Sequence, residues 1–255
     1  MLCIDVGNSH IYGGVFVEDE LSLRFRLSSK VSTSDELGIF LKNVLRENHC
    51  LPEQIKTIGV CSVVPQMDYS LRAACLKYFS IEPFFLQAGV RTDLTIEYVN
   101  AAELGADRIA NAIAACHLFP NKNLIIIDFG TATTFCVINQ KKSYLGGVIL
   151  PGVRLAADAL AKNTAKLPSV EIIKIDQVVG RSTIESMQSG VFYGAIGACR
   201  ELITRIKKEM YADTDAIVLA TGGFASLFAQ QGLYDHLLPD LVLLGIRRAA
   251  ELNQV

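Results

Sequence analysis

Asp128-Phe129-Gly130-Thr131-Ala132-Thr133 ends the strongly apolar run 123–129 and opens onto a second apolar run, 133–138. The same order stands 123 residues earlier: Asp5-Val6-Gly7-Asn8-Ser9 closes the run 2–6 and leads into 11–17. Short apolar runs bounded by Gly and polar residues predict strands. Each pair is followed by a third such run, 21–27 in the first half and 143–150 in the second. Helical patterns and further strands alternate after that, which is the signature of an α/β fold. A duplicated β-β-β-α-β-α unit accounts for both the length and the echo. It predicts one lobe over 1–118 and a second over 119–255, facing each other across a cleft, with the last helix free to return to the first lobe.

The remaining elements follow from local signals. Glu18-Asp19-Glu20 predicts a hairpin turn. Thr33 and Glu36 have capping-box spacing, and Leu37, Phe40, Leu41, Val44 and Leu45 then share one helical face. Strands are expected at 55–64 and 83–86, with a helix at 69–79 between them. The run 103–119 carries Ala and Ile at helical spacing. In the second half a helix is expected at 153–161, a strand at 170–175, a long helix at 184–210 and a strand at 216–220. The segments 224–231, 241–244 and 246–252 close the chain, the last of them helical.

Composition narrows the class. The apolar fraction of 51% is enough for a full core and excludes a disordered chain. Lys and Arg total 24 against 26 Asp and Glu, a formal charge of -2, so no nucleic-acid partner is expected. No long uncharged apolar run predicts a membrane span. The first residues lack a basic stretch and cleavage motif, so a cytoplasmic location is expected. The seven cysteines form no C-x-x-C pair and mostly sit in apolar strings, which reads as small buried hydrophobes in a reducing compartment. The four histidines are too scattered to suggest a zinc site.

The two Asp-x-Gly turns carry the chemistry. A Gly after a strand lets the backbone turn tightly against a ligand, and N–H groups in such a turn cradle anions. Ser9, Thr131 and Thr133 add hydroxyls. Asp5 and Asp128 can hold a cation or its waters near phosphate, or merely cap their turns. Neither a G-x-x-x-x-G-K-[ST] loop nor a strand-anchored G-x-G-x-x-G is present. Gly222-Gly223, after the strand 216–220 and Thr221, is a third turn that an adenine or ribose could lie against. Gly105-Ala106-Asp107-Arg108 starts an Ala-rich helix, where the dipole favours negative charge. Asp107 there could take a proton from an attacking hydroxyl, and Arg108 offers a fork for carboxylate or phosphate. Thr183 reads either as a helix cap or as a substrate-facing hydroxyl. Gly190, Gly194, Ala195, Gly197 and Ala198 allow close packing, at a dimer seam or inside the lobe.

Over nearly its full length the chain resembles the type III pantothenate kinases, a branch of the acetate/sugar kinase, Hsp70 and actin superfamily. The resemblance rests on Asp5 to Ser9, Tyr98, Gly105 to Arg108, Asp128 to Thr133, Gly146-Gly147 with Pro151-Gly152, Gly180 to Thr183, and Thr221 to Gly223, in that order and spacing. It implies duplicated actin-like ATPase lobes of the ribonuclease H-like type and ATP-dependent phosphorylation of pantothenate at its 4′-hydroxyl. The loop Asp5, Val6, Gly7, Asn8, Ser9, His10, Ile11 and Tyr12 would hold ATP phosphates, and Thr131 would touch ATP. Asp107 would be the proton acceptor. Tyr98 with Gly105, Ala106, Asp107 and Arg108 would shape the pantothenate pocket. Asp128 would bind a monovalent cation, potassium or ammonium, and magnesium would accompany ATP. Thr183 would reach pantothenate from the second subunit of a homodimer with a shared active site. Ser9 stands where the family mostly has Thr, and Ala101 where Pro is common. Both changes keep the reactive groups. Rival readings are another kinase or phosphatase of the superfamily, or an accessory factor for transcription.

Overall fold

The computed structural model describes residues 1–211 and 214–254. Two compact units emerge. The first comprises Met1–Leu94, Val99–His117 and the stretch from Leu241 onward; the second comprises Thr95–Tyr98 and Leu118–Asp240. The chain therefore enters unit 1, crosses to unit 2, and returns to unit 1 for its last helix. Thr95–Tyr98, read above with the first lobe, lies in unit 2.

Unit 1 is built on a five-stranded sheet. Its strands are β1 (Leu2–Val6), β2 (His10–Val17), β3 (Glu20–Ser28), β4 (Ile58–Ser62) and β5 (Phe84–Phe85), in the order β3-β2-β1-β4-β5. β1 pairs antiparallel with β2 and parallel with β4. Alternate residues of a strand point to opposite faces, and β1 uses both. Leu2, Ile4 and Val6 join the cluster of Leu37, Leu41 and Leu45 from α1 (Ser34–Glu47) and Met67 and Leu71 from α2 (Pro65–Phe79). Cys3 faces the other way. It packs in a cluster with Ala110 and Ile113 of α3 (Ala106–Leu118) and Leu243 and Ile246 of α6 (Leu241–Leu252). α1 starts with the capping box its sequence predicts: Glu36 N donates to Thr33 Oγ1 at 3.2 Å, and Thr33 N donates back to Glu36 Oε2 at 2.7 Å. α2 begins four residues earlier than its apolar pattern predicts, because Pro65 is tolerated in a first helical turn.

Unit 2 repeats the plan. β7 (Asn123–Phe129), β8 (Ala132–Ile138) and β9 (Ser143–Pro151) form an antiparallel meander, and β10 (Ala216–Thr221) lies parallel to β7. With β6 (Thr95–Ile96) and β11 (His236–Leu237) the order is β11-β10-β7-β8-β9-β6. Read outward from β7, it matches unit 1 read outward from β1: a meander on one side, parallel strands on the other. The predicted duplication is present in the topology. Ile125, Ile127 and Phe129 pack with Phe192, Ile196 and Cys199 of α5 (Thr183–Tyr211) and Val153 of α4 (Val153–Asn163).

One expected strand is missing. Residues 170–175 are irregular, because side chains take the carbonyls a sheet would need. Arg154 Nη1 donates to Val170 O at 3.3 Å, Gln188 Nε2 to Glu171 O at 3.0 Å, and Tyr193 Oη to Ile175 O at 3.0 Å. Residues 224–231 hold only a short 3-10 turn at Ala225–Phe228, and the last two expected segments join into α6. Among the described residues, no helix is long and apolar enough to cross a membrane.

Candidate active site

In unit 1 the turn between β1 and β2 is closed by Gly7 N, which donates to His10 O at 3.0 Å. Asn8, Ser9 and His10 are exposed, and Ser9 O is tied down by Ser29 N at 3.0 Å. Val6 and Ile11 are core residues, 0% and 2% exposed, so only their backbone is available to a ligand. The Tyr12 ring lies beneath the Arg26 guanidinium, 4.8 Å from its centroid.

Asp5 sits on the α3 face of β1, opposite the side that buries Ile4 and Val6. In the parallel pairing Asp5 is level with Cys61 of β4, so both side chains leave the sheet on that face. The buried Cys61 thiol donates a hydrogen bond to the Asp5 carboxylate. Burial, then the charge of Asp5, then those of Asp107 and Asp68, hold this thiol well above its ordinary pKa. The charges of three carboxylates of unit 1 therefore act on one sulfur. They come from the end of β1, the first turn of α3 and the start of α2.

Asp107 is the carboxylate at the head of α3. Its Oδ1 accepts from Arg108 N at 2.8 Å. A Cβ on Gly105 would stand 2.5 Å from that oxygen, so the glycine leaves room for the carboxylate to fold back over the turn. Burial raises the Asp107 pKa above the usual carboxylate value, against the opposing pull of the Arg108 N–H and charge. Arg108 is 8% exposed, far from the surface side chain its position after a helix start would suggest. Ala106 opens the helix and is half-buried.

In unit 2 the β7–β8 turn has the same construction. Gly130 N donates to Ala132 O at 3.1 Å, and Gly152 N donates to Thr131 O at 3.1 Å. Thr131 is exposed and Asp128 half-buried. The end of β10 lies alongside, with Thr221 level with Asp128. Gly222 there has φ +91°, a backbone only glycine adopts readily. A Cβ on it would strike Asp128 Oδ1 and the Phe129 backbone. Gly223, the next residue, borders on a hollow of about 500 Å³ lined also by Ile172, Lys174, Phe224, Leu227 and Gln230. Lys174 Nζ donates to Gln230 Oε1 at 2.9 Å on its wall. The irregular backbone at 170–175 supplies two of those residues, which is why no strand pattern could announce the hollow.

Tyr98 lies in unit 2, its ring edge-on to the fully buried Tyr144 at 6.3 Å. Thr183 starts α5 and is exposed. The cap of that helix is Ser182, whose Oγ accepts from Glu185 N at 3.2 Å, so Thr183 does not serve as the cap. Thr183 lines a groove of about 1020 Å³ along α4 and α5, with Gly190, Gly194, Ala195 and Ala198 in its floor.

The sequence profile of type III pantothenate kinases matches residues 1–205. A type III pantothenate kinase of Legionella pneumophila (strain Paris) is 73% identical over 253 residues, 99% of each chain. The chain belongs to the type III pantothenate kinase family. The corresponding Elusimicrobium minutum kinase is 47% identical over 255 residues, covering 100% of this chain and 99% of the other. Among solved structures, a Campylobacter jejuni protein described as a Baf family transcriptional activator aligns with TM-score 0.61 at 20% identity, covering 100% and 99% of the two chains. The ADPNP-bound activator of 2-hydroxyisocaproyl-CoA dehydratase from Clostridium difficile aligns with TM-score 0.53 at 12% identity, covering 99% and 95%. At these identities the likeness carries the fold alone: two α/β lobes of one repeated plan.

Sequence reasoning read Cys61 as one more buried hydrophobe and gave Asp68 no role. The alternation of β1 and β4 was the signal available for Cys61, since it puts Cys3, Asp5 and Cys61 on one face.

Proposed function

We propose that the chain transfers the γ-phosphoryl group of ATP to the 4′-hydroxyl of pantothenate, giving ADP and 4′-phosphopantothenate, the first step of coenzyme A biosynthesis. Family membership supports the reaction. The observation that carries the mechanism is the Asp107 carboxylate, held at the head of α3 with a raised proton affinity. A carboxylate with a raised pKa is a better proton acceptor at neutral pH than an ordinary one.

Asp107 orients the 4′-hydroxyl and accepts its proton as the oxygen attacks phosphorus. In a loose phosphoryl transition state, alignment and charge neutralisation matter more than the base itself. In unit 1 the exposed Asn8–Ser9 turn offers the phosphates of magnesium-bound ATP its backbone N–H groups and the Ser9 hydroxyl; in unit 2 the Thr131 turn does the same, while Gly7 N and Gly130 N are engaged within their own turns. Arg108 is buried next to Asp107, so its charge acts on the base as well as on the anionic substrate. Gly105 and Ala106 shape the pantothenate pocket beside Asp107. The adenine lies against Gly222 and Gly223, in the hollow between Lys174 and Phe224.

The residues fit a monovalent cation at Asp128. Space beside its Oδ1 exists because residue 222 carries no side chain. No group of three or more His, Cys, Asp or Glu is placed to hold a metal among the described residues. Carbonyl, water and phosphate oxygens would therefore complete the shell, which suits a weakly held potassium or ammonium ion. Bound there, the ion offsets phosphate charge.

A homodimer completes the reading. Gly190, Gly194 and Gly197 have no described heavy atom within 4 Å of where a Cβ would stand. Each glycine costs the helix roughly 1 kcal/mol relative to Ala, so their local packing gives no reason for them. Close approach of a second subunit along the groove does, and it brings the partner chain against Thr183. The deciding assay is ATP-dependent phosphorylation of labelled pantothenate, run in potassium and in sodium. Labelled 4′-phosphopantothenate forming faster in potassium is expected; no product in either salt overturns the proposal.

A further inference from the structure

We infer that Cys61 is a positioning residue, whose thiol donates to the Asp5 carboxylate and fixes its orientation behind the phosphate-facing turn. Asp5 is the last polar side chain of β1 before the Gly7 turn, and a lone carboxylate there has two rotatable bonds. Its neighbour across the sheet, Cys61, is level with it and on the same face, whereas Ser62, the other donor of β4, leaves the sheet on the opposite face. Cys61 is 0% exposed, as are its flanking strand residue Val60 and the facing Cys3. No solvent competes for the sulfur. The charged groups that act on it are Asp5 from β1, Asp107 from α3 and Asp68 from α2. All three are acidic, so the sulfur keeps its proton and remains a donor. One oxygen of Asp5, Oδ1, is buried; the orientation set by the thiol therefore decides where the other carboxylate oxygen points.

The competing reading is that Cys61 only fills space beneath α3. The two differ in what serine does. Serine keeps a donor in nearly the same volume, whereas alanine removes it. If the thiol positions Asp5, Cys61→Ala raises KM for ATP or lowers kcat by ~3–10-fold, the low end for a hydrogen bond to a charged acceptor because a thiol is a weak donor. Cys61→Ser then restores most of that loss. This kinetic arm rests on the phosphotransfer reading above.

A second arm does not. The S–H stretch falls in an infrared window clear of other protein bands, and donation to a carboxylate lowers its frequency. In an Asp5→Asn minus natural difference spectrum, one S–H band should move to higher frequency, since the neutral amide is the weaker acceptor. An unmoved band overturns the inference, even if the chain phosphorylates pantothenate. Equal kinetic losses in Cys61→Ala and Cys61→Ser also overturn it. Should the chain fail to phosphorylate pantothenate while the band still shifts, the positioning contact stands and the function above falls.

Discussion

Asp107 gives the sharpest test at the scale of a single side chain. Replacing it by Asn keeps the shape and removes the proton acceptor, so kcat should fall by ~10²–10⁴-fold in a steady-state assay. Near-normal turnover would take Asp107 out of its role. Its raised pKa also fixes a sign. A base works only when ionised, so kcat should fall as pH drops through that pKa, and the acid limb should sit above the ordinary carboxylate value. The same shift makes ionisation costly to the fold: the contribution to stability is full at low pH and lost as pH rises through the raised pKa. Asp107→Asn cannot ionise, so its Tm at neutral pH should equal or exceed that of the natural chain. A clearly lower Tm would mean that the carboxylate is structural. The place of Asp107 in a first helical turn was legible in the sequence, from Gly105 before it and the Ala-rich run after it. The role of Arg108 was less so, since nothing local tells a buried guanidinium from a surface one.

Glycines decide how closely elements approach. Gly245 of α6 packs on α3, and a Cβ there would strike the Ala110 carbonyl. The contact is backbone, which cannot swing aside. Gly245→Ala should cost ~1–3 kcal/mol, or roughly 2–12 °C in Tm for a chain of this size, read by calorimetry; an unchanged Tm would mean the helices slide apart freely. Gly222 joins strain to a site. At φ +91° any side chain is strained by ~1–2 kcal/mol, and this one would also strike Asp128. Gly222→Ala should blunt the potassium dependence of the rate along with stability, checked by potassium titration. Retained potassium stimulation would move the ion away from Asp128. Elements with strong periodicity, such as α1 and β7, could be read directly. The segment 170–175 could not: Val170-Glu171-Ile172 and Ile173-Lys174-Ile175 are apolar and β-branched at their ends as a strand would be, but Arg154, Gln188 and Tyr193 capture its carbonyls. Those partners lie up to eighteen residues away, beyond any local pattern.

For the whole molecule the proposed dimer is the main exposure to test. Gly194→Leu places a bulky side chain into the α4–α5 groove without touching the turns at Asp5 or Asp128. Light scattering after size exclusion should shift from a dimer to a monomer mass, with pantothenate binding weakened through loss of Thr183 from the partner. A variant that stays dimeric would put the seam elsewhere. The repeat of strand order between the units was readable from two short turns, because each lobe needs its own Asp-x-Gly signal. How the chain is shared between units was harder to read. Thr95–Tyr98 carries only a two-residue strand, and its place beside β9 depends on Glu97 N donating to Tyr144 O at 2.9 Å, a contact 47 residues away.

The return of α6 has a consequence for biosynthesis. Cys3, Ala110 and Ile113 bury their apolar surface against a helix that is synthesised only after unit 2. Unit 2 has every one of its strands and helices available sooner. During translation the first half of the chain must wait, with one side of its sheet covered by α3 alone, until the second half has been made. A premature stop near residue 240 would therefore harm the beginning of the protein more than its end.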